Sequence, residues 1–242
     1  DISGPLPYIS SGPNNPTNSD IATFVIESYD NETTDTLECN LDSAGWDDCT
    51  SPKVYDNLSE DDHSFSVRAT DSVGNTGSLV YYNWTTDYTE PIITIISGPD
   101  SITNSTSANF SFSSNEQGST FECKFDDAGD FYSCISSITY NPSEGNHSFH
   151  VRTTDQAGNL GNTAIYNWIT DYTDPVVTLT SYPPSRTNNQ SVTFNFTVDE
   201  SAVLYCSFNN SVWYSCEYSV TFSNLTEGSY SFKVRATDNA NN

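Results

Sequence analysis

The chain is short of positive charge. Its 242 residues include seven Lys and Arg against 32 Asp and Glu, a formal net charge of −25. Nucleic-acid binding needs basic patches that displace phosphate counterions, so that class is excluded. No apolar run approaches the roughly 18 residues of a membrane-spanning helix, so no span is expected. There is no methionine, and no leader-like segment is visible. No stretch carries a convincing amphipathic helix period. Glycine-rich phosphate loops, close C-x-x-C metal pairs and a recurring Ser/His/Asp or Cys/His set are also missing. The expectation is therefore a protein that is not an enzyme. Charged residues make up only 16% of the chain. Its polarity comes mainly from Ser, Thr and Asn, which suit turns, strands and glycan acceptors better than helices.

What is present is repetition. F-S-V-R-A-T-D at Phe65–Asp71 returns as F-H-V-R-T-T-D at Phe149–Asp155 and as F-K-V-R-A-T-D at Phe232–Asp238. The spacing is roughly 84 residues, the size of a small β-sandwich. A linker frame recurs as well: Asp1-x-x-x-Pro5, Asp87-Tyr-Thr-Glu-Pro91 and Asp171-Tyr-Thr-Asp-Pro175. Proline fixes φ and disfavours helix in the residue before it, so these connections are extended and stiff. The units read as 1–87, 88–171 and 172–242. The third lacks a counterpart of Tyr166–Thr170, so it is expected to be truncated, in a window cut from a longer array. A strand supplied by another subunit could complete it.

Within a unit the period is two. Ile93 and Ile95, ended by Gly98-Pro99, form a first strand in the middle unit. Phe110 and Phe112 face inward from a second, and Phe121, Cys123 and Phe125 line a third. Ser133–Tyr140 reads as a fourth strand. Phe149, Val151 and Thr153 face inward from a fifth, and Ala164–Thr170 closes the unit. Short alternating strands with turn signals between them predict an all-β sandwich.

The strand before each D-x-A-G-N turn resembles the F strand of fibronectin type III and immunoglobulin-like modules. A longer pattern resembles tandem Ig-like repeats of bacterial and algal surface proteins. It comprises F-E-C-x-x-D at Phe121–Asp126, Trp46-x-x-Cys49, H-S-F-x-V-R at His63–Arg68, D-Q-A-G-N at Asp155–Asn159 and D-Y-T-D-P at Asp171–Pro175. The resemblance implies three tandem Ig-like or fibronectin-III-like sandwiches in an extracellular or cell-surface setting. It is weak for function, because the family is defined by a scaffold.

The cysteines fall two to a unit: Cys39 and Cys49, Cys123 and Cys134, Cys206 and Cys216. Pairing within each unit is the simplest of the possible connectivities and implies an oxidising compartment. A bridge closing so short a loop contributes on the order of 3 kcal/mol. Ten N-x-S/T sequons begin at Asn31, Asn57, Asn83, Asn104, Asn109, Asn146, Asn189, Asn195, Asn209 and Asn224. They are expected to carry N-glycans that shield strand faces. Acidic groups gather at the junctions. Asp87, Glu90, Asp155, Asn159, Asp171 and Asp174 offer the oxygens calcium prefers, although Asp and Asn also cap turns with no ion. Glu38 and Glu122 should meet Arg68 and Arg152 across neighbouring strands, with Tyr205 facing Arg235 instead. Trp46, Phe131 and Trp213 are expected on the disulfides, or as a platform for sugar. The expected role is structural, a segment of a glycosylated extracellular rod or fibril joined to further repeats or copies of itself. The alternatives are an adhesin binding glycans or cell surfaces, and a non-catalytic spacer of a secreted enzyme.

Overall fold

A computed structural model describes residues 3–29 and 36–242. The described residues contain strands and turns and no helix. In the first unit the strands are β1 (Leu6–Ser11), β2 (Ala22–Tyr29), β3 (Thr36–Leu41), β4 (Asp47–Cys49), β5 (Lys53–Tyr55), β6 (Asp62–Thr70) and β7 (Val80–Thr85). One sheet has the order β1-β2-β5 and the other β4-β3-β6-β7. The second unit runs β8 (Ile93–Ser97), β9 (Ile102–Thr103), β10 (Ala108–Ser114), β11 (Thr120–Phe125), β12 (Tyr132–Cys134), β13 (Ile138–Tyr140), β14 (Gly145–Thr154) and β15 (Ala164–Thr170). It repeats the arrangement as β13-β10-β8 and β12-β11-β14-β15-β9. The third unit has β16 (Val177–Ser181), β17 (Val192–Val198), β18 (Ala202–Phe208), β19 (Tyr214–Ser215), β20 (Ser219–Phe222) and β21 (Phe232–Asp238), ordered β16-β17-β20 and β19-β18-β21. Two sheets in this strand order, antiparallel except where β9 runs parallel to β15, make an immunoglobulin-like, fibronectin-III-like sandwich.

Alternation decides which residues fill the space between the sheets. On β14, His147, Phe149, Val151 and Thr153 are buried while the residues between them lie half-exposed. A ring from one sheet stacks on a ring from the other in every unit. Phe24 meets Phe65 at 4.0 Å, Phe110 meets Phe149 at 4.2 Å, and Phe194 meets Phe232 at 4.3 Å. Trp84 and Trp168 close the first two cores, each 2% exposed. The third core is smaller, with Phe196, Leu204 and Cys206 as its buried members.

The segment Ser133–Tyr140, expected as one strand, is two. β12 pairs with β11, and β13 pairs with β10 in the opposite sheet. The chain changes sheets between them, and Ser137 takes a positive φ of 70° there. The crossing carries its own anchor, since the Phe112 N–H donates to Ser136 Oγ at 3.0 Å. The first unit uses the same device, with Ile26 N–H donating to Ser51 Oγ at 2.9 Å. In both units a serine hydroxyl at the crossing accepts a backbone N–H from the facing strand. Disulfides join Cys39 to Cys49, Cys123 to Cys134 and Cys206 to Cys216. Each joins neighbouring strands of one sheet, Cys216 lying one residue past β19, so none crosses the sandwich.

Gly77 and Gly161 sit against the linker prolines. A Cβ on either would fall inside the van der Waals shell of the Pro5 or Pro91 carbonyl oxygen. That oxygen is backbone and cannot swing away. Gly161→Ala should destabilise the second unit by about 1–3 kcal/mol, read as a lower urea midpoint. Gly228→Ala, with its nearest atoms at 3.8 Å, is the control. Equal midpoints for the two variants would show that the contact is not restrictive.

Candidate functional site

The junctions hold the most organised polar chemistry of the chain. Each begins with an aspartate turn at the end of β14 or β21. Asp155 Oδ1 accepts from the backbone N–H groups of Gly158 and Asn159 at 2.7 and 2.8 Å. Its Oδ2 accepts from Asn159 Nδ2 at 2.7 Å. The same amide nitrogen donates to the Asp87 carbonyl at 2.8 Å. The third unit repeats this pattern. Asp238 Oδ1 accepts from Ala240 and Asn242, and Asn242 Nδ2 donates to Asp238 Oδ2 and to the Asp171 carbonyl at 2.8 Å. A turn in one unit thus holds the linker that enters that unit.

The linker is fastened equally to the unit behind it. Tyr88 Oη donates to the Leu58 carbonyl at 2.9 Å, and Thr89 Oγ1 donates to Glu60 Oε1 at 2.5 Å. At the next junction Tyr172 Oη donates to the Pro142 carbonyl at 2.9 Å, and Thr173 Oγ1 donates to Glu144 Oε1 at 2.7 Å. Asp87 and Asp171 also cap their own linkers, accepting from Thr89 N–H and Thr173 N–H at 3.1 Å. On the far side, Ile92 N–H donates to Asn115 Oδ1 and Val176 N–H to Asp199 Oδ1. Every side chain of the Asp-Tyr-Thr motif therefore has a partner.

This bonding draws carboxylates together. Asp87, Glu116 and Asp155 place one oxygen each within 4.8 Å of one another, and so do Asp171, Glu200 and Asp238. Burial pushes the Glu116 carboxyl up from its ordinary value, reinforced by Asp87, Asp155 and Glu60. Glu200 is likewise raised by burial and by Asp171, Asp238, Asp199 and Glu144. Asp238 moves the other way. Burial opposes its charge, but bonds from Asn242, Ala240 and Asn241 outweigh that and hold it below the usual range. The repulsion therefore falls on the glutamates, which have no backbone donors of this kind. Among the described residues neither group includes His or Cys. Three carboxylate oxygens suit a hard cation such as calcium, with water supplying the rest of its six to eight ligands.

Of the junction residues expected from sequence, Asp87, Asp155 and Asp171 join these groups. Glu90 and Asp174 are exposed and stay outside them. Asn159 commits its amide nitrogen to Asp155 and Asp87. Glu116, Glu200 and Asp238 were missed. Their signal was periodic: Glu116 and Glu200 follow Asn115 and Asp199 at equivalent places, but they lie far along the chain from the linker.

Each sheet face also carries a stacked arginine. Glu38 stands opposite Arg68, Glu122 opposite Arg152 and Tyr205 opposite Arg235 in the strand register. Arg68 grips Glu38 with two bonds of 2.7 and 2.9 Å, and Arg152 Nε donates to Glu122 at 2.8 Å. Trp46, Phe131 and Trp213 lie under these guanidinium groups at 4.5, 4.2 and 4.7 Å. The aromatic before the second cysteine is thus one half of a cation–π stack, with one ring face already covered. Asn31 lies outside the described residues. The other sequon asparagines are exposed except Asn195, which is half-buried.

Raised glutamates fix the sign of a pH effect. Their contribution to stability is complete below the ordinary value of 4.5 and is lost as pH rises through the folded value. In chelator at about pH 7.5, Glu116→Gln and Glu200→Gln should therefore raise the thermal midpoint, and the gain should vanish as pH falls toward that of a free glutamate. A lower midpoint at neutral pH would contradict the assigned repulsion.

No protein-family model matches the chain, and no curated protein does. Solved structures similar to the chain at low identity include the following three. Fibronectin(III)-like modules of Clostridium thermocellum CbhA are 12% identical over 68% of this chain and 94% of theirs, with a TM-score of 0.41. Chicken CNTN1 FN1–FN3 domains are 13% identical over 98% and 95%, with a TM-score of 0.31. A 1.5-MDa bacterial ice-binding adhesin is 12% identical over 100% and 89%, with a TM-score of 0.39.

Proposed function

We propose that the chain is a spacing segment of an extracellular rod, built from Ig-like units whose junctions resist bending. The observation that carries this reading is the linker, bonded to the unit behind it and the unit ahead of it in two successive copies. A flexible tether leaves its backbone and side chains to water, whereas this one commits them. The disulfides and the exposed sequons fit an oxidising, extracellular site. N-glycans on the exposed asparagines would keep the edges of neighbouring rods from pairing. Calcium bound to the two carboxylate groups would relieve the repulsion on Glu116 and Glu200 and stiffen the same junctions.

Small-angle scattering tests the reading. The intact chain should have the maximum dimension of three units in line. Replacing Tyr88 and Tyr172 by Phe, together with Thr89 and Thr173 by Val, should shorten it without unfolding the units. A globular or freely jointed profile for the unaltered chain would overturn the proposal. Calorimetric titration with calcium should give two sites, lost in Glu116→Gln with Glu200→Gln. Absence of binding would remove the cation from the proposal and leave the rod. Mass spectrometry of native material should find glycans on Asn57, Asn83, Asn104, Asn109, Asn146, Asn189, Asn209 or Asn224. Bare asparagines throughout would count against the shielding role.

A further inference from the structure

Two buried histidines face acceptors on both ring nitrogens. His63 is 6% exposed, with Nδ1 at 2.7 Å from Asp42 Oδ2 and Nε2 at 2.9 Å from the Ser59 carbonyl. His147 is 8% exposed, with Nδ1 at 3.0 Å from Asp126 Oδ2 and Nε2 at 2.8 Å from the Ser143 carbonyl. Neither a carboxylate nor a carbonyl can donate. A neutral imidazole has one N–H, so it would turn a lone pair on one of these oxygens. Only the imidazolium satisfies both. The rings lie against Trp84 and Trp168 at 5.2 and 5.3 Å, and Phe125 packs on His147. With both nitrogens engaged, neither ring is free to activate a nucleophile.

The charged groups facing these rings are few. Asp42, on the turn after β3, and Asp61, just before β6, act on His63. Asp126, on the turn after β11, acts on His147, while neighbouring Asp127 approaches Lys124 and His150. The aspartates are themselves fixed, since Asp42 Oδ1 accepts from Ser64 N–H and Asp126 Oδ1 from Ser148 N–H, each at 2.8 Å.

The third unit is an internal contrast. Asn209 follows β18 where Asp42 follows β3, and Tyr230 stands two residues before Phe232 where His63 precedes Phe65. Tyr230 Oη donates to the Thr226 carbonyl at 3.0 Å, four residues back, as the imidazole Nε2 does. Both members of the charged pair are exchanged together for neutral ones. The same loop carbonyl is held without a proton that titrates near neutrality.

The location of the held loop gives the pair its consequence. Ser59 lies between Leu58 and Glu60, which receive Tyr88 and Thr89 of the linker. Ser143 lies between Pro142 and Glu144, which receive Tyr172 and Thr173. We infer that His63 and His147, engaged through both ring nitrogens, pin the loops on which the following linkers dock, and that loss of the His63 proton frees its junction to bend. This rests on the reading of the chain as a rod. Burial works against charge on His63, but the Ser59 and Asp42 bonds outweigh it and raise its pKa. A raised histidine is fully pinned below about pH 6.5 and released as pH climbs through its folded value.

Nitrogen NMR of the imidazoles in the full chain tests the pin directly. The His63 ring should be doubly protonated at about pH 5.5 and still so at pH values where a free histidine has lost its proton. A singly protonated His63 ring in the folded chain at that acidic pH would overturn the pin. Scattering tests its consequence. The maximum dimension should fall between about pH 5.5 and about pH 8.5. The fall should be lost when units one and two receive the third unit's pair, as Asp42→Asn with His63→Tyr and Asp126→Asn with His147→Tyr. His63→Gln with His147→Gln is a second route if the first does not fold. A titrating pin with unchanged dimensions would overturn the link to the junction and leave the rod. A chain bent at both pH values would remove the rod while leaving the pin.

Discussion

The bond from Asn159 Nδ2 to the Asp87 carbonyl is the interaction on which the junction turns. It exists because Asp155 has already folded the chain back on itself and oriented the asparagine. Without that turn, the linker would touch its following unit only through Pro91 and the residues after it. With it, Asp87 is drawn beside Asp155, and Glu116 completes the group. A backbone restraint and an electrostatic load are therefore products of the same short turn. The chain accepts the crowding of carboxylates because the turn that causes it also fixes the connection.

Charge economy governs the rest of the surface. With seven Lys and Arg in the chain, few acidic groups can have a basic partner. Arg68, Arg152 and Arg235 are spent within the sheets, stacked on an aromatic ring and, in the first two units, paired with glutamate. Among the described residues, the ion pairs of Lys and Arg involve none of the junction carboxylates. His63 and His147 follow the same logic from the other side, since each ring is turned onto one aspartate, Asp42 or Asp126. Where the chain gives up the histidine, in the third unit, it also gives up the aspartate.

Much of the fold was legible because period-two burial leaves a direct trace in the letters. Phe110, Phe112, Phe149 and Val151 were readable as inward residues, and they are buried. The opposition of Glu38 with Arg68 followed from knowing that their strands are neighbours. Ser133–Tyr140 misled because strand propensity does not record which sheet a strand joins. Half of each carboxylate group was invisible for a related reason. Glu116 reaches Asp87 through the packing of a loop, and no local pattern encodes that meeting. His63 and His147 precede the Phe of the recurring strand by two residues, yet only the acceptors around their ring nitrogens reveal the pin.

The placement of the disulfides bears on how such a chain carries load. Cys123–Cys134 ties β11 to β12 inside one sheet and encloses a separation of 11 residues. Tension applied along the chain enters the second unit at β8 and leaves at β15, so it bypasses this staple. Were the sandwich pulled open, the bridge would withhold only about 35–40 Å of contour length, at 3.3–3.6 Å per residue. The remainder of the unit would pay out. A staple across the sheets would have shortened that reserve; this one supports the hairpin at rest and leaves nearly the whole unit available as extensible slack.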